Sequence, residues 1–335
     1  MKLLMISPLS SIMPSEYYAP VENQIYLVAQ EMTKKHEIWI SCLKGSAVPA
    51  GCNIVSVQDP DEAKAFEAYK SMLEQFDAIL DFSNLKYAYL YKHEQKPDLK
   101  LYGCCYPYQS AGYQTPPPVP FPYMIGTSDA MNMAMIAKLG CMFKKVHYAP
   151  MPTPANLELG ERSDANRLLF LGRLEKGKGA AVAVDLARQL RVGLDILGED
   201  IRTSDQRYTV LLVQKADGRL VRCFGRVTEN MKHEFLAKAK ALIIPYVEDV
   251  SAYTCQTILE AFQYGTPVIT LNKGAVNEFV QDGVTGLICK QIDDLPSAVK
   301  KLDSLSPEKC MQTAEKYSAE NAANKYENLL AEDPW

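Results

Sequence analysis

Short apolar runs alternate along the chain with longer segments in which apolar residues return every three or four positions. Lys2 to Ile6 carries Leu3, Leu4, Met5 and Ile6 in succession, the pattern of a strand covered on both faces. A loop marked by Pro8, Pro14 and Pro20 follows. Positions 21–34 then place Ile25, Val28, Ala29 and Met32 at helical spacing, and 37–42 is a second apolar run. This strand–loop–helix–strand opening predicts a doubly wound α/β unit. The same reading predicts a helix over 63–75, strands over 78–82, 100–106, 124–127 and 145–149, and a helix over 130–139 capped at Ser128-Asp129. Pro150, Pro152 and Pro154 then read as a linker between domains.

The pattern restarts at Arg167. Strands are expected over 168–171, 193–197, 208–214, 221–224, 241–244 and 268–271, and helices over 180–189, 230–240, 254–264, 295–302, 307–316 and 317–330. Within this half, 241–289 carries most of the candidate chemistry. Its first strand stops at Pro245, a polar loop follows, and Gly265 sits where the next helix would end. In open α/β sheets ligands bind beyond the carboxyl ends of the strands. A helix start offers unpaired N–H groups to an anion such as a diphosphate. Glu260 falls about two turns into that helix, where a carboxylate could accept from sugar hydroxyls; a solvated glutamate in an ordinary βαβ unit fits the spacing as well.

Gly172-Arg173-Leu174-Glu175-Lys176-Gly177-Lys178-Gly179 nearly matches a phosphate-binding P-loop. Gly179 stands where that motif needs the hydroxyl that holds Mg²⁺, which speaks against an NTPase.

Bulk composition narrows the classes. The 335 residues suffice for two domains, and 47% hydrophobic content lets both have cores. A net charge of −4 argues against a general nucleic-acid binder, which needs an excess of Lys and Arg. Nine cysteines are odd in number and form no CxxC pair, as expected for reduced thiols in a cytoplasmic protein. Four scattered histidines give no metal site, and no cofactor is indicated. No segment has the apolar length of a membrane span, and Met1–Ile6, ending at Ser7-Pro8, is too brief for a signal segment. Peripheral membrane contact and homo-oligomerisation stay open. The proline-rich 109–122, with its tyrosines, reads either as an acceptor or oligomer surface or as a stiff cover over the domain edge.

Glu260-Ala261, Gly265-Thr266-Pro267-Val268-Ile269, Gly274, Glu278 and Asp282-Gly283-Val284-Thr285-Gly286 together resemble the C-terminal signature of GT4-type retaining glycosyltransferases, of which this would be a divergent member. The resemblance implies the GT-B fold: two Rossmann-like, doubly wound domains facing a central cleft. It implies an acceptor-side domain over 1–155, a nucleotide-sugar domain over 156–316, and a final segment 317–335 whose helix packs back on the first domain. It gives Arg173 and Lys178 the role of neutralising the diphosphate leaving group without a metal. Glu260 would hold the ribose. Thr254, Cys255, Gln256 and Thr257 would meet the diphosphate, and Gly172 and Val227 would also line the donor.

Four departures from the family pattern stand out. The donor-side loop of the first domain, usually glycine-rich, has Ala19 and Pro20, although Glu22 fits. The first of the two hallmark glutamates is replaced by Ala252, and the glycine that commonly follows it by Cys255. Glu248 or Asp249 is the candidate substitute for the missing carboxylate. The histidine of many relatives is absent around Cys104-Cys105-Tyr106. The implied activity is transfer of a sugar, with retention, from a nucleotide-diphosphate donor such as a UDP-sugar to an acceptor the sequence does not name. The alternatives are a non-catalytic nucleotide-sugar binder, or an epimerase or phosphorylase on the same fold.

Overall fold

The computed structural model describes residues 1–17, 19–83, 87–104, 121–139, 143–148, 159–161, 164–199 and 207–332. The chain forms two compact units, Met1–Pro154 with Ser318–Trp335, and Ala155–Tyr317. The proline-rich 109–120, Cys105-Tyr106, Tyr18 and the prolines at 150, 152 and 154 lie outside the described residues.

The first unit runs β1 (Lys2–Ile6), α1 (Pro20–Met32), β2 (Glu37–Leu43), β3 (Asn53–Val57), α2 (Glu62–Tyr69), β4 (Ala78–Asp81), α3 (Tyr87–Gln95), β5 (Leu101–Cys104), β6 (Phe121–Gly126), α4 (Asp129–Leu139) and β7 (Phe143–Tyr148). The strands pair in parallel in the order β3-β2-β1-β4-β5-β6-β7. Parallel pairing needs a crossover between neighbours; α1 supplies it from β1 to β2 and α3 from β4 to β5, while 44–52 carries the chain from β2 to β3 without a helix. The expected helix over 63–75 breaks at Tyr69 into α2 and a 3₁₀ turn, Lys70–Gln75. The cap expected ahead of α4 is present: Ser128 Oγ accepts from the Met131 N–H at 3.0 Å. β3 and α3 add to the elements expected. β3 is an edge strand of alternating exposure, and α3 buries Ala88 and Tyr89 on an otherwise polar, tyrosine-rich surface.

The second unit runs β8 (Asp164–Leu171), α5 (Ala180–Leu190), β9 (Gly193–Leu197), α6 (Arg207–Lys215), β10 (Val221–Gly225), α7 (Glu229–Lys238), β11 (Ala239–Ile244), α8 (Gln256–Gln263), β12 (Val268–Leu271), α9 (Val276–Phe279), β13 (Gly286–Cys289), α10 (Leu295–Lys300) and α11 (Pro307–Glu315). Its sheet has the order β10-β9-β8-β11-β12-β13. The paired strands are parallel throughout. One expectation fails. Positions 208–214 form the helix α6 and not a strand. The β-branched, apolar run Val210-Leu211-Leu212-Val213 suggested a strand. The parallel neighbours β9 and β10 require a crossover between them, and α6 provides it. Of the run, Leu212 is buried while Val210, Leu211 and Val213 are about half exposed.

The last helix, α12 (Ala319–Glu332), belongs to the first unit. Ala322, Ala323, Tyr326 and Leu330 enter the core that Leu3, Met5, Ile25 and Val28 build. Tyr326 accepts from Gln24 Nε2 at 3.4 Å, and Lys35 pairs with Glu327 at 2.7 Å. Among the described residues no helix is long and apolar enough to cross a membrane.

Asp81 ends β4, where the strand order of the first sheet reverses. It is wholly buried. Its Oδ1 accepts from the Ser83 N–H at 2.9 Å and Oγ at 2.6 Å, while Oδ2 has no hydrogen-bond partner among the described residues. Burial raises its pKa from 3.8 to about 6, and the Ser83 hydrogen bonds only partly offset it. The folded state therefore holds the proton longer than the unfolded chain. Stability should fall as pH rises through roughly 4 to 6 and then level off, a loss of about 3 kcal/mol. In urea unfolding at pH 4 to 7, Asp81→Asn should remove most of that slope; an unchanged slope would show that another group causes it.

Candidate functional site

In the second sheet the strand order reverses between β8 and β11, so the chain leaves those strands in opposite directions. Such a switch point opens a crevice at the carboxyl ends. Two loops meet there: Gly172–Gly179, which follows β8, and Pro245–Cys255, which follows β11. Val247 N–H donates to the Gly177 carbonyl at 2.9 Å. Lys178 Nζ donates to the Ser251 carbonyl at 2.6 Å and stands 4.9 Å from the centre of the buried Tyr246 ring. The approach is close enough to dictate residue type. A Cβ on Gly179, at φ +82°, would stand 2.1 Å from the Pro245 carbonyl oxygen. One on Gly177 would meet Ser251 Oγ at 2.3 Å and Glu248 Oε2 at 2.7 Å.

The charges in this crevice are mixed. Arg173 donates to Glu175 Oε2 at 2.6 Å, and Ser251 Oγ lies 3.4 Å from Glu175 Oε1. Glu248 reaches toward Gly177, at the Lys178 end of the loop. Asp249 turns elsewhere: its Oδ1 accepts from the Gly274 N–H at 2.8 Å, holding the turn that follows β12. Ala252, in the position of the absent glutamate, is fully buried, and its carbonyl accepts from the Ala275 N–H at 3.1 Å.

Helix α8 starts at the far end of the second loop. Its apolar face, Ile258, Leu259, Ala261 and Phe262, is buried, which leaves Gln256, Thr257 and Glu260 on the partly open side. It ends at Gly265, φ +67°, where Gly265 N–H donates to Phe262 O and Thr266 N–H to Ala261 O. Cys255 caps the start with φ +48°, a left-handed backbone that favours glycine, and its thiol donates to the Ala252 carbonyl at 3.1 Å. Burial pushes the Cys255 pKa far up, so the group is a neutral structural thiol. Among the described residues no backbone carbonyl accepts from the N–H groups of Gln256 or Thr257. Those are the orphan donors of a helix start.

Glu260 sits in a partly buried ionic cluster that sequence reasoning did not foresee. Lys232, on α7, donates from Nζ to Glu260 Oε1 at 3.0 Å and to Glu229 Oε2 at 2.6 Å. The Lys232 side chain is 8% exposed. Burial opposes its charge, yet Glu260 and Glu229 together raise its pKa above the ordinary lysine value. Burial raises the pKa of Glu229. Gln256 Nε2 also lies 3.4 Å from Glu260 Oε1, and the buried Gln256 Oε1 has no partner among the described residues. A signal for Lys232 existed: it falls four positions before the buried Leu236, on the core side of α7.

Of the residues singled out in the sequence, Gly172, Arg173, Lys178, Glu248 and the Thr254–Glu260 segment thus belong to one region of the second unit. Val227 precedes Thr228, the cap of α7, beyond the end of β10. Ala19 and Pro20 belong to the first unit. There Ala19 is buried ahead of α1 and Pro20 is the first helical residue. The neighbouring Glu22 is buried and accepts from Ser10 Oγ at 2.5 Å; burial raises its pKa. Among the described residues no cluster of His, Cys, Asp and Glu could hold a metal ion.

Comparison with known proteins places this geometry. Residues 165–305 match the family model described as glycosyl transferases group 1. A lipopolysaccharide 1,2-N-acetylglucosaminetransferase of Salmonella typhimurium (strain LT2) is 27% identical over 192 residues, 52% of this chain and 50% of the relative. The match therefore spans about half the length of that curated relative. Among solved structures, AviGT4, a glycosyltransferase involved in avilamycin A biosynthesis, superposes with a TM-score of 0.73 at 19% identity, covering 100% of this chain and 99% of that one. Sucrose-phosphate synthase from Thermosynechococcus elongatus gives 0.75 at 17%, over 99% and 100%. Anabaena Alr3699/HepE, in complex with UDP-glucose, gives 0.71 at 14%, over 99% of each chain. These likenesses establish the fold as GT-B, with two Rossmann-like domains.

The two acidic residues of the β11 loop should separate in experiment. Asp249→Ala should cost about 1 kcal/mol of stability through the freed Gly274 N–H and leave UDP affinity as it was, both read by thermal unfolding with and without UDP. A loss of UDP response with unchanged stability would put Asp249 at the ligand.

Proposed function

We propose that this chain, whose residues 165–305 match the glycosyl transferases group 1 model, moves a sugar from a nucleotide-diphosphate donor to an acceptor. The observation that carries the reading is the meeting of the β8 loop, with Arg173 and Lys178, and the start of α8 at one switch point. A diphosphate there accepts from the N–H groups of Gln256 and Thr257, aided by the Thr254 and Thr257 hydroxyls. Arg173 and Lys178 take up the charge that grows on the diphosphate as the bond to the sugar breaks. Fixed cations need no reorganisation at that moment, so they favour the transition state over the ground state. That role makes the transfer metal-independent. Glu260 accepts from the ribose hydroxyls. Gly172 and Val227 line the donor from the ends of β8 and β10. The complexes of HepE with UDP-glucose support a UDP-sugar as the donor.

Ala252 carries no carboxylate to the sugar ring. Glu248, beside Gly177 and unlike Asp249 not committed to the Gly274 turn, supplies it in this reading. No carboxylate nucleophile is assigned, so retention proceeds without a covalent glycosyl-enzyme, the departing diphosphate and the incoming acceptor sharing one face of the sugar.

A second reading is favoured by that same buried Ala252: a protein that binds nucleotide-sugars without turning them over. Donor hydrolysis and product formation decide between the two. With UDP-sugars the enzyme reading predicts slow release of UDP that survives a chelator, and Arg173→Ala should weaken UDP binding by at least about tenfold, the worth of a charge-assisted hydrogen bond. Tight binding with no UDP released under any acceptor favours the binder. Unchanged affinity in Arg173→Ala removes the leaving-group assignment.

A further inference from the structure

We infer that Lys232 is the positioning residue for the ribose-binding carboxylate: it occupies one oxygen of Glu260 and so turns the other toward the ribose. The inference rests on the reading of Glu260 given above and goes beyond it, because Lys232 itself touches no ligand.

The geometry is specific. Both hydrogen bonds to the Glu260 carboxylate, from Lys232 Nζ at 3.0 Å and from Gln256 Nε2 at 3.4 Å, end on Oε1. Among the described residues none ends on Oε2. Glu260 and Lys232 come from different helices, 28 positions apart, so their contact also fixes α7 against α8 at the start of the site. The ammonium is held in turn by Glu229 at 2.6 Å. Glu229 follows Thr228, whose Oγ1 caps α7 by accepting from Met231 N–H at 3.3 Å. The chain of support thus runs from a helix cap through Glu229 and Lys232 to Glu260.

A carboxylate on a glutamate side chain has three rotatable bonds and would otherwise sample several orientations. A charge-assisted bond to one oxygen, with the ammonium buried, removes most of that freedom. The oxygen left over is an acceptor without a competing donor. A pair of ribose hydroxyls can bond to it without displacing anything, which makes discrimination between ribose and deoxyribose large. A site built to hydrogen-bond a hydroxyl rejects the analogue that lacks it.

The test is the ratio of affinities for UDP and for its 2′-deoxy and 3′-deoxy analogues, measured by calorimetry. In the wild-type protein at least one deoxy analogue should bind about tenfold or more weakly. Lys232→Met keeps the unbranched apolar stem of the side chain but donates nothing, and should bring that ratio close to one. Glu229→Gln leaves Lys232 on Glu260 and should retain it. If Lys232→Met does not fold, Lys232→Gln, which keeps a polar end but is uncharged and one atom shorter, carries the same expectation. Glu260→Gln separates the two levels. Should Glu260→Gln keep the full ratio, Glu260 does not hold the ribose and the functional reading fails. Should Glu260→Gln lose the ratio while the Lys232 variant keeps it, Glu260 holds the ribose unaided and this inference is overturned. A general weakening of UDP and both analogues by the same factor in the Lys232 variant would also overturn it, since that is what loosened packing alone produces.

Discussion

Parallel pairing of β8 with β11 is the constraint from which the site follows. Strands that run the same way end on the same side, so the two loops after them must leave from one edge of the sheet. The reversal of strand order sends those loops apart and opens room between them. What closes them again is local and polar: Val247 on the Gly177 carbonyl, and the Lys178 ammonium on the Ser251 carbonyl. The glycines at 177 and 179 let the backbones approach that closely. A cation that binds a loop carbonyl serves two ends, since it orders the loop and stays beside the helix start that the loop leads into.

Charge balance gives the region a second character. Arg173 and Lys178 are offset by Glu175 and Glu248, so the crevice is close to neutral before any ligand arrives. In the function proposed above, an incoming diphosphate shares Arg173 with Glu175 or displaces it. Such a site binds its anion less tightly than two bare cations would, which suits a leaving group that has to depart. The deeper cluster of Glu229, Lys232 and Glu260 has the opposite logic. Its ammonium is buried between two carboxylates, and removing that ammonium would leave the two carboxylates without their shared cation.

Much of this was legible in the order of residues, and the reasons are physical. Strands covered on both faces read as unbroken apolar runs, so β1, β11 and β12 could be located closely, while β8 begins at Asp164, four residues ahead of its apolar run. β3 and α3 lack such runs, lying at a sheet edge and on a polar surface, and they were missed. The segment 208–214 misled because local β-propensity points one way and the crossover between β9 and β10 the other. The meeting of Gly172–Gly179 with 245–255 was implied by the two strand ends. The division of labour between Glu248 and Asp249 was not, because it depends on which one the Gly274 N–H captures. Lys232 was overlooked for a similar reason. Its partner lies on another helix, and only packing of α7 beside α8 brings them together.

The central claim is that an anion belongs at the start of α8, against the β8 loop. The most direct test is a crystal structure of the protein soaked with UDP. The account predicts the diphosphate over the N–H groups of Gln256 and Thr257, with Arg173 and Lys178 directed at its oxygens. UDP bound elsewhere, or bound there with both side chains turned from the phosphates, would contradict it.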